Sequence, residues 1–140
     1  MNSLELLIDV TSNTNAIIRY EASRFNLTVS QAFHLLLIPF DGISMSTLAK
    51  KLGLDTSTLT RNIQKLENIG FVMRRPDLYD KRINRILLTN DGSSLVISLE
   101  ERLEERYQLV SQNIDLDTQE HLQTVLEKLA WALECTRQKS

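Results

Sequence analysis

The sequence predicts a mainly α fold carrying one small β-hairpin, and three observations support that expectation. Apolar residues recur at spacings of three and four over most of the chain, the period of a helix with one buried face. Of the few helix breakers, four Gly and two Pro in 140 residues, all but Pro76 fall at the ends of these segments. Only residues 71–88 depart from the pattern, where two short runs of β-formers flank a polar turn.

In chain order, Leu4, Leu7, Ile8, Ile17, Ile18 and Ala22 predict one long, slightly irregular helix over residues 4–24. Thr28 and Gln31, three residues apart, form a capping box for a helix from Val29 to Ile38. Its run Phe33 to Ile38 is apolar on nearly all sides, which makes this helix central, and Pro39 and Gly42 stop it. Ser44 or Ser46 caps the next short helix, with Leu48, Ala49 and Leu52 inward and Lys50 and Lys51 outward. Gly53 ends that helix where a positive φ is commonly needed. Asp55 caps a helix to Ile69 with Leu59, Ile63 and Leu66 on one stripe, and Gly70 closes it. Phe71 to Arg75 reads as a strand, Pro76 to Lys81 as a polar turn, and Arg82 to Leu88 as the returning strand. Thr89-Asn90-Asp91-Gly92 opens a long helix to Asn113 with Leu95, Leu99, Leu103, Tyr107 and Val110 on one side. A last helix begins at the box Asp117-Thr118-Gln119-Glu120 and carries Leu122, Val125, Leu126, Leu129 and Leu133.

Two short helices across a minimal turn, followed by a basic hairpin, have the spacing of a winged helix-turn-helix. Residues 28–92 are therefore expected to form a DNA-binding lobe within a single domain spanning 1–140. Residues 1–27 and 93–140 are expected to form a helical dimerisation region, because their apolar stripes have few partners within the chain. A second copy covers such stripes economically.

Charge follows the same division. Net charge is −2, but Lys50 to Arg85 holds nine basic and four acidic residues, a local balance of +5. Binding to a polyanion depends on the charges that reach phosphates, so an acidic chain with a basic patch still qualifies as a binder of double-stranded DNA.

The outer face of the helix from Asp55 to Ile69 presents Ser57, Arg61, Gln64 and Asn68, side chains that hydrogen-bond base edges and phosphates. Arg61 and Gln64 are the expected base readers, with Thr56, Ser57 and Thr60 positioning the helix on phosphates and Lys65 beside them. On the hairpin, Arg82 suits the negative potential of a narrow minor groove, and Asp80 is expected to orient it through hydrogen bonds. Lys81, Arg74, Arg75 and Arg85 are expected to contact phosphate or support the wing.

Other function classes find little support. There is no Gly-rich phosphate loop, no nucleophile elbow and no metal-ligand cluster, so neither enzyme activity nor a cofactor is expected. His121 and Cys135 on one helix would lie about 21 Å apart, too far to share an ion, and His34 reads as a satisfied core or pocket residue. Cys135 reads as a partly buried thiol. No run approaches a membrane span and the start lacks a basic leader, so a cytoplasmic protein is expected. The acidic pairs Glu100-Glu101 and Glu104-Glu105 read as a solvated helix face.

The stretch Leu59 to Arg75, then Asp80-Lys81-Arg82, then Leu88-Thr89-Asn90-Asp91-Gly92, resembles the MarR family of bacterial winged helix-turn-helix regulators. These segments are similar to that family's recognition helix ending in Leu-Glu-x-x-Gly, its wing Asp-x-Arg and its Leu-Thr-x-x-Gly helix start. The likeness covers the chain in order from Leu27-Thr28-Val29-Ser30-Gln31 to the last helix. It implies a homodimer held by the terminal helices, with two recognition helices in successive major grooves and two wings in the flanking minor grooves. It also implies a small-molecule effector acting between the helical part and the DNA-reading lobes. Ile83 stands where many members place another acid, so the local ion pairing is expected to differ. The family's peroxide sensors resemble one another in a reactive cysteine near the N-terminus, and this chain has none there. The expected function is that of a sequence-specific regulator of transcription, acting as a repressor. The alternative is a winged-helix protein-interaction module, since fold does not fix function.

Overall fold

The computed structural model describes residues 1–138, and its described residues form helices and one three-stranded antiparallel sheet. Local capping chemistry explains most of the helix starts. Helix α1 (Ser3–Ser23) begins at a capping box that the sequence reading did not single out: Glu5 N–H donates to Asn2 Oδ1 at 2.9 Å, and Asn2 N–H donates back to Glu5 Oε2 at 3.2 Å. Helix α2 (Val29–Leu36) begins at the expected box, with Gln31 N–H to Thr28 Oγ1 at 3.1 Å and Thr28 N–H to Gln31 Oε1 at 3.0 Å. It stops at Leu36 rather than Ile38, because a residue before proline is steered away from the α region and Pro39 follows Ile38.

Strand β1 (Ile43–Ser44) runs into helix α3 (Met45–Leu52), which is capped by Ser44 and not Ser46: the Ser44 hydroxyl accepts from Thr47 N–H at 3.2 Å. Gly53 takes the left-handed conformation at φ 69°, as its place after the helix required. Helix α4 (Thr56–Ile69) starts at Asp55 and ends at Gly70, φ 97°. Strands β2 (Val72–Pro76) and β3 (Asn84–Leu88) follow, then helices α5 (Asn90–Gln112) and α6 (Leu116–Gln138).

The sheet order is β1-β3-β2, so β3 is the central strand. Ile86 faces Ile43 on one side and Arg74 on the other, and Arg85 faces Ser44 and Arg75. β1 is absent from the sequence reading, since two residues carry no readable alternation. Through it Ser44 serves both as a strand residue and as the cap of α3, which fixes that helix to the sheet. The returning strand begins at Asn84 rather than Arg82, and the outgoing strand is shifted by one, Val72–Pro76 rather than Phe71–Arg75. Arg82 therefore belongs to the turn, where its backbone is held by Asp80.

The chain divides into two compact units, Met1–Leu103 and a second beginning at Glu104. The first holds the core. Leu35, Leu48, Leu59, Ile63, Leu66, Ile86 and Leu99 are fully buried in it, each contributing about 1.5–3 kcal/mol by leaving water. The α5 face that packs here is Gly92, Val96 and Leu99, with Leu95 and Leu103 half-buried. Tyr107 and Val110, expected on the same stripe, are exposed. Arg102 pairs with the buried Glu21 of α1 at 3.4 Å, which ties the base of α5 to α1.

In the second unit the bend before α6 is held by Gln119, whose amide Nε2 donates to the carbonyls of Ser111 and Ile114, both at 2.6 Å. The cap of α6 is Asp115, not the expected box from Asp117: Thr118 N–H donates to Asp115 Oδ2 at 3.0 Å and the Thr118 hydroxyl to Oδ1 at 2.7 Å. A free carboxylate two residues upstream completes the first turn with two acceptors, and outcompetes the later box. Among the described residues of α6 none is buried, and no described helix is long and apolar enough to cross a membrane.

One junction connects α4, the hairpin and α5. Thr89 N–H donates to Phe71 O at 3.1 Å, the Thr89 hydroxyl donates to Gly70 O at 2.6 Å, and the hydroxyl oxygen Oγ1 itself accepts from Gly92 N–H at 3.0 Å. Gly92 lies so close that a Cβ there would stand 1.9 Å from Phe71 O, whereas a Cβ on Gly70 would meet nothing within 4 Å. Gly92→Ala must therefore displace backbone and is expected to cost about 3 kcal/mol. Gly70→Ala bears only the left-handed penalty of about 1 kcal/mol. Urea unfolding followed by circular dichroism checks the order, and equal midpoints for the two variants would refute the close approach.

Candidate nucleic-acid interface

The exposed face of α4 and the tip of the β2–β3 hairpin make up the candidate surface. Asp55 sets the start of α4, accepting from Thr58 N–H at 2.7 Å. That backbone N–H, with the Thr58 hydroxyl second, holds the Asp55 carboxyl below its ordinary range. Thr56, Ser57, Thr60, Arg61, Gln64 and Lys65 are all exposed, as the spacing required. The Thr60 hydroxyl donates to Thr56 O at 2.7 Å, so its proton is spent within the helix and its oxygen faces out as an acceptor.

The C-terminal half of this face is organised by a polar network that the sequence reading missed. Arg74 on β2 donates from Nε to Glu67 Oε1 at 2.8 Å and from a terminal nitrogen to Gln64 Oε1, also at 2.8 Å. Gln64 in turn donates to Asn68 Oδ1 at 3.1 Å. Arg74 thus fixes the rotamer of the Gln64 amide and neutralises Glu67, the one acid on α4. Each Gln64 head atom keeps one hydrogen-bonding valence for an outside partner.

A second connection reaches α4 from behind. His34 is 2% exposed, donates from Nδ1 to Ser30 O at 2.6 Å and lies with Nε2 3.1 Å from Asn62 Nδ2. In the tautomer protonated at Nδ1, Nε2 accepts from Asn62, so the histidine is satisfied at both nitrogens. It is the core residue the sequence suggested, and Asn62 is its partner.

On the hairpin, Asp80 and Arg82 form a fork. Arg82 Nε donates to Asp80 Oδ1 and a terminal nitrogen to Oδ2, both at 3.0 Å, while Arg82 N–H donates to Oδ1 at 3.1 Å. The guanidinium is held in one orientation yet its side chain is 90% exposed. Asp80 orients Arg82 as expected. The Arg82 side chain, then its backbone N–H, keeps the Asp80 carboxyl below its usual range, and Asp80 raises the Arg82 guanidinium in return. Arg85 is committed elsewhere: it donates to Gly42 O at 2.9 Å and Asp41 O at 3.3 Å, and pairs with Asp77 at 3.5 Å. Arg75 and Lys81 are exposed beside the tip. The turn read as polar also presents Leu78 and Tyr79, the most exposed large apolar residues of the hairpin.

This arrangement has known relatives. The MarR family profile matches residues 27–83. The HTH-type transcriptional regulator SarZ of Staphylococcus saprophyticus is 30% identical over 107 residues, covering 74% of this chain and 73% of its own length. The chain belongs to the MarR family. Membership makes it a transcriptional regulator rather than an enzyme. The regulator YdgJ of Bacillus subtilis is 32% identical over 94 residues, which is 67% of this chain but only 57% of that protein. In fold, the chain superposes on MepR of Staphylococcus aureus, solved as a MepR–DNA complex, with TM-score 0.76 at 21% identity, covering 94% of this chain and 98% of that one. The winged helix-turn-helix expectation is met.

Protonation of Asp80 opens the fork. Because the folded value is depressed, the tip geometry is complete above the ordinary aspartate value and is lost as pH falls through the lower folded one. In a carboxyl NMR titration the Asp80 midpoint is expected below 3.8. In Arg82→Ala it is expected to rise towards that value without reaching it, since the backbone N–H remains. A native midpoint at or above 3.8 would show that the fork is absent in solution.

Proposed function

We propose that this MarR-family chain acts as a homodimeric, sequence-specific DNA-binding repressor in the cytoplasm, on a near-palindromic site. One observation carries the reading: the Asp80–Arg82 fork fixes a guanidinium that remains 90% exposed, at a hairpin tip beside the acid-neutralised face of α4. A cation that is ordered and yet left in water is prepared for an outside anion, because the ordering cost is already met. The shape of that anion follows from the neighbours. α4 presents Arg61 and the fixed Gln64 amide on one exposed face, three residues apart, as the readers of base edges in a major groove, with Thr56, Ser57, Thr60 and Lys65 directed to the phosphates. The hairpin then meets the adjacent minor groove, with Arg82 entering, Lys81 and Arg75 on the backbone, and Arg74 and Arg85 as supports. The MepR–DNA complex shows that a protein of this fold takes DNA as its ligand.

In this reading residues 28–92 are the DNA-binding lobe of a single domain, and residues 1–27 and 93–140 are the dimerisation region. Support comes from the apolar side chains these helices leave in water, among them Leu4 at 64%, Ile8 at 59%, Val125 at 56% and Trp131 at 70% exposure. Regulation then follows from linkage. A small-molecule effector that binds better to a dimer with misplaced recognition helices releases DNA by its differential affinity alone.

Fluorescence anisotropy with a duplex from the chain's own upstream region tests the reading. Affinity is expected to fall steeply with salt. Arg82→Ala should weaken binding about tenfold or more on all duplexes, and Arg61→Ala should weaken it comparably while relaxing discrimination at one base pair. Sedimentation should give a dimer. Binding indifferent to salt and to both substitutions would exclude the DNA reading in favour of a protein-docking wing.

A further inference from the structure

At the end of the hairpin two adjacent apolar side chains stand almost wholly in water, Leu78 at 91% and Tyr79 at 97% exposure. The backbone presenting them is fixed. Asp77 Oδ2 accepts from the N–H groups of Tyr79 and Asp80, both at 3.0 Å, while its other carboxylate oxygen pairs with Arg85 at 3.5 Å. Asp77 N–H closes the hairpin on Ile83 O at 2.8 Å, and Ile83 N–H donates to Asp80 O at 3.0 Å. A lone exposed apolar residue needs no explanation, but an adjacent pair on an ordered turn is a prepared contact.

Its surroundings define the partner. Arg75, Lys81 and Arg82 are exposed around the pair, and both acids of the turn are engaged, Asp77 by Arg85 and Asp80 by Arg82. The tip is therefore apolar and cationic at once. A protein's apolar groove would leave those cations unmatched, and a simple phosphate surface would leave the apolar pair in water. The minor groove of duplex DNA answers both demands, since C–H-rich deoxyribose walls flank a strongly negative floor, and apolar side chains are common partners there.

We propose that Leu78 and Tyr79 pack against the deoxyribose walls of the minor groove flanking each half-site while Arg82 enters between them, so that the wing grips by apolar contact as well as by charge. This rests on the DNA-binding reading above and deepens it. An apolar contact releases no counterions, so this part of the affinity persists at salt concentrations that abolish the ionic part.

Hydroxyl-radical footprinting of the full-length chain on a duplex from its own upstream region reads the contact directly, because the radical attacks minor-groove sugar hydrogens. The native chain is expected to protect short sugar tracts outboard of the recognition-helix contacts. Leu78→Ala/Tyr79→Ala should lose that outer protection and bind about tenfold more weakly, with an unchanged slope of log Kd against log salt. Arg82→Ala should reduce that slope by about one. Both replaced side chains are exposed, so the double variant should keep the native urea midpoint. Equal outer protection by native and double-variant protein overturns the inference and leaves the DNA reading standing. A native chain with no salt-dependent footprint removes the DNA reading and this inference with it. Loss of binding to phosphatidylserine/phosphatidylcholine vesicles in the double variant, with its footprint unchanged, also overturns it and assigns the tip to an anionic lipid surface.

Discussion

The hydroxyl of Thr89 is the constraint on which the DNA-reading architecture depends. Its oxygen gives a hydrogen to Gly70 O and takes one from Gly92 N–H, while the Thr89 backbone bonds Phe71 O. Four events in the chain therefore meet within a few bonds: the end of α4, the departure of β2, the return of β3 and the start of α5. A hairpin anchored at both feet in this way cannot rotate independently of the helix beside it. Its tip, several residues away, inherits that direction through the paired register Val72 with Leu88 to Pro76 with Asn84. The absence of a side chain at Gly92 lets α5 begin against the Phe71 carbonyl.

Within this frame the basic residues divide by what they touch. Arg74 and Arg85 are spent inside the molecule, one holding the Gln64 amide and Glu67, the other tying the hairpin to the carbonyls at Asp41 and Gly42. Arg82 is bonded and exposed together, and Arg61, Lys65, Arg75 and Lys81 face solvent. Net charge says little about such a surface. The acids near it, Glu67, Asp77 and Asp80, each sit against an arginine, so the field beyond the tip is set by the remaining cations.

What could be read from the sequence was local. The caps at Thr28 and Asp55, the left-handed Gly53 and the buried stripe Leu59, Ile63 and Leu66 each depend on neighbours within four residues, and each is found where the spacing put it, while of the two caps the spacing allowed for α3 it is Ser44 that serves. The exposed face of α4 follows from the same stripe by rotation. The partners of Arg74 and Arg85 were not legible, because the latter bonds carbonyls more than forty residues away. β1 was missed because its two residues become a strand only when β3 arrives beside them. Asp115 displaced the expected Asp117 box at α6 because its two carboxylate oxygens take both the N–H and the hydroxyl of Thr118. Val96, not Tyr107 or Val110, joins Leu99 in the core, and the buried residues of α5 all lie within residues 92–99. Leu78 and Tyr79 were hidden by the polar company they keep in the turn.

The terminal helices make the remaining physical demand. A helix as long as α6 with no buried residue among those described has little reason to persist in water, since most helix stability in proteins comes from packing an apolar face. A two-fold partner answers the demand with residues already present, because the same patch serves both copies. In the proposed dimer that pairing does more than stabilise. Half-sites on one face of B-DNA repeat about every 34 Å, so a rigid pair of lobes converts the second binding event into an intramolecular one at high effective concentration. One lobe, with a few exposed side chains on α4, discriminates modestly. Two lobes held at the repeat distance multiply that discrimination, and any ligand that alters the distance acts on the product.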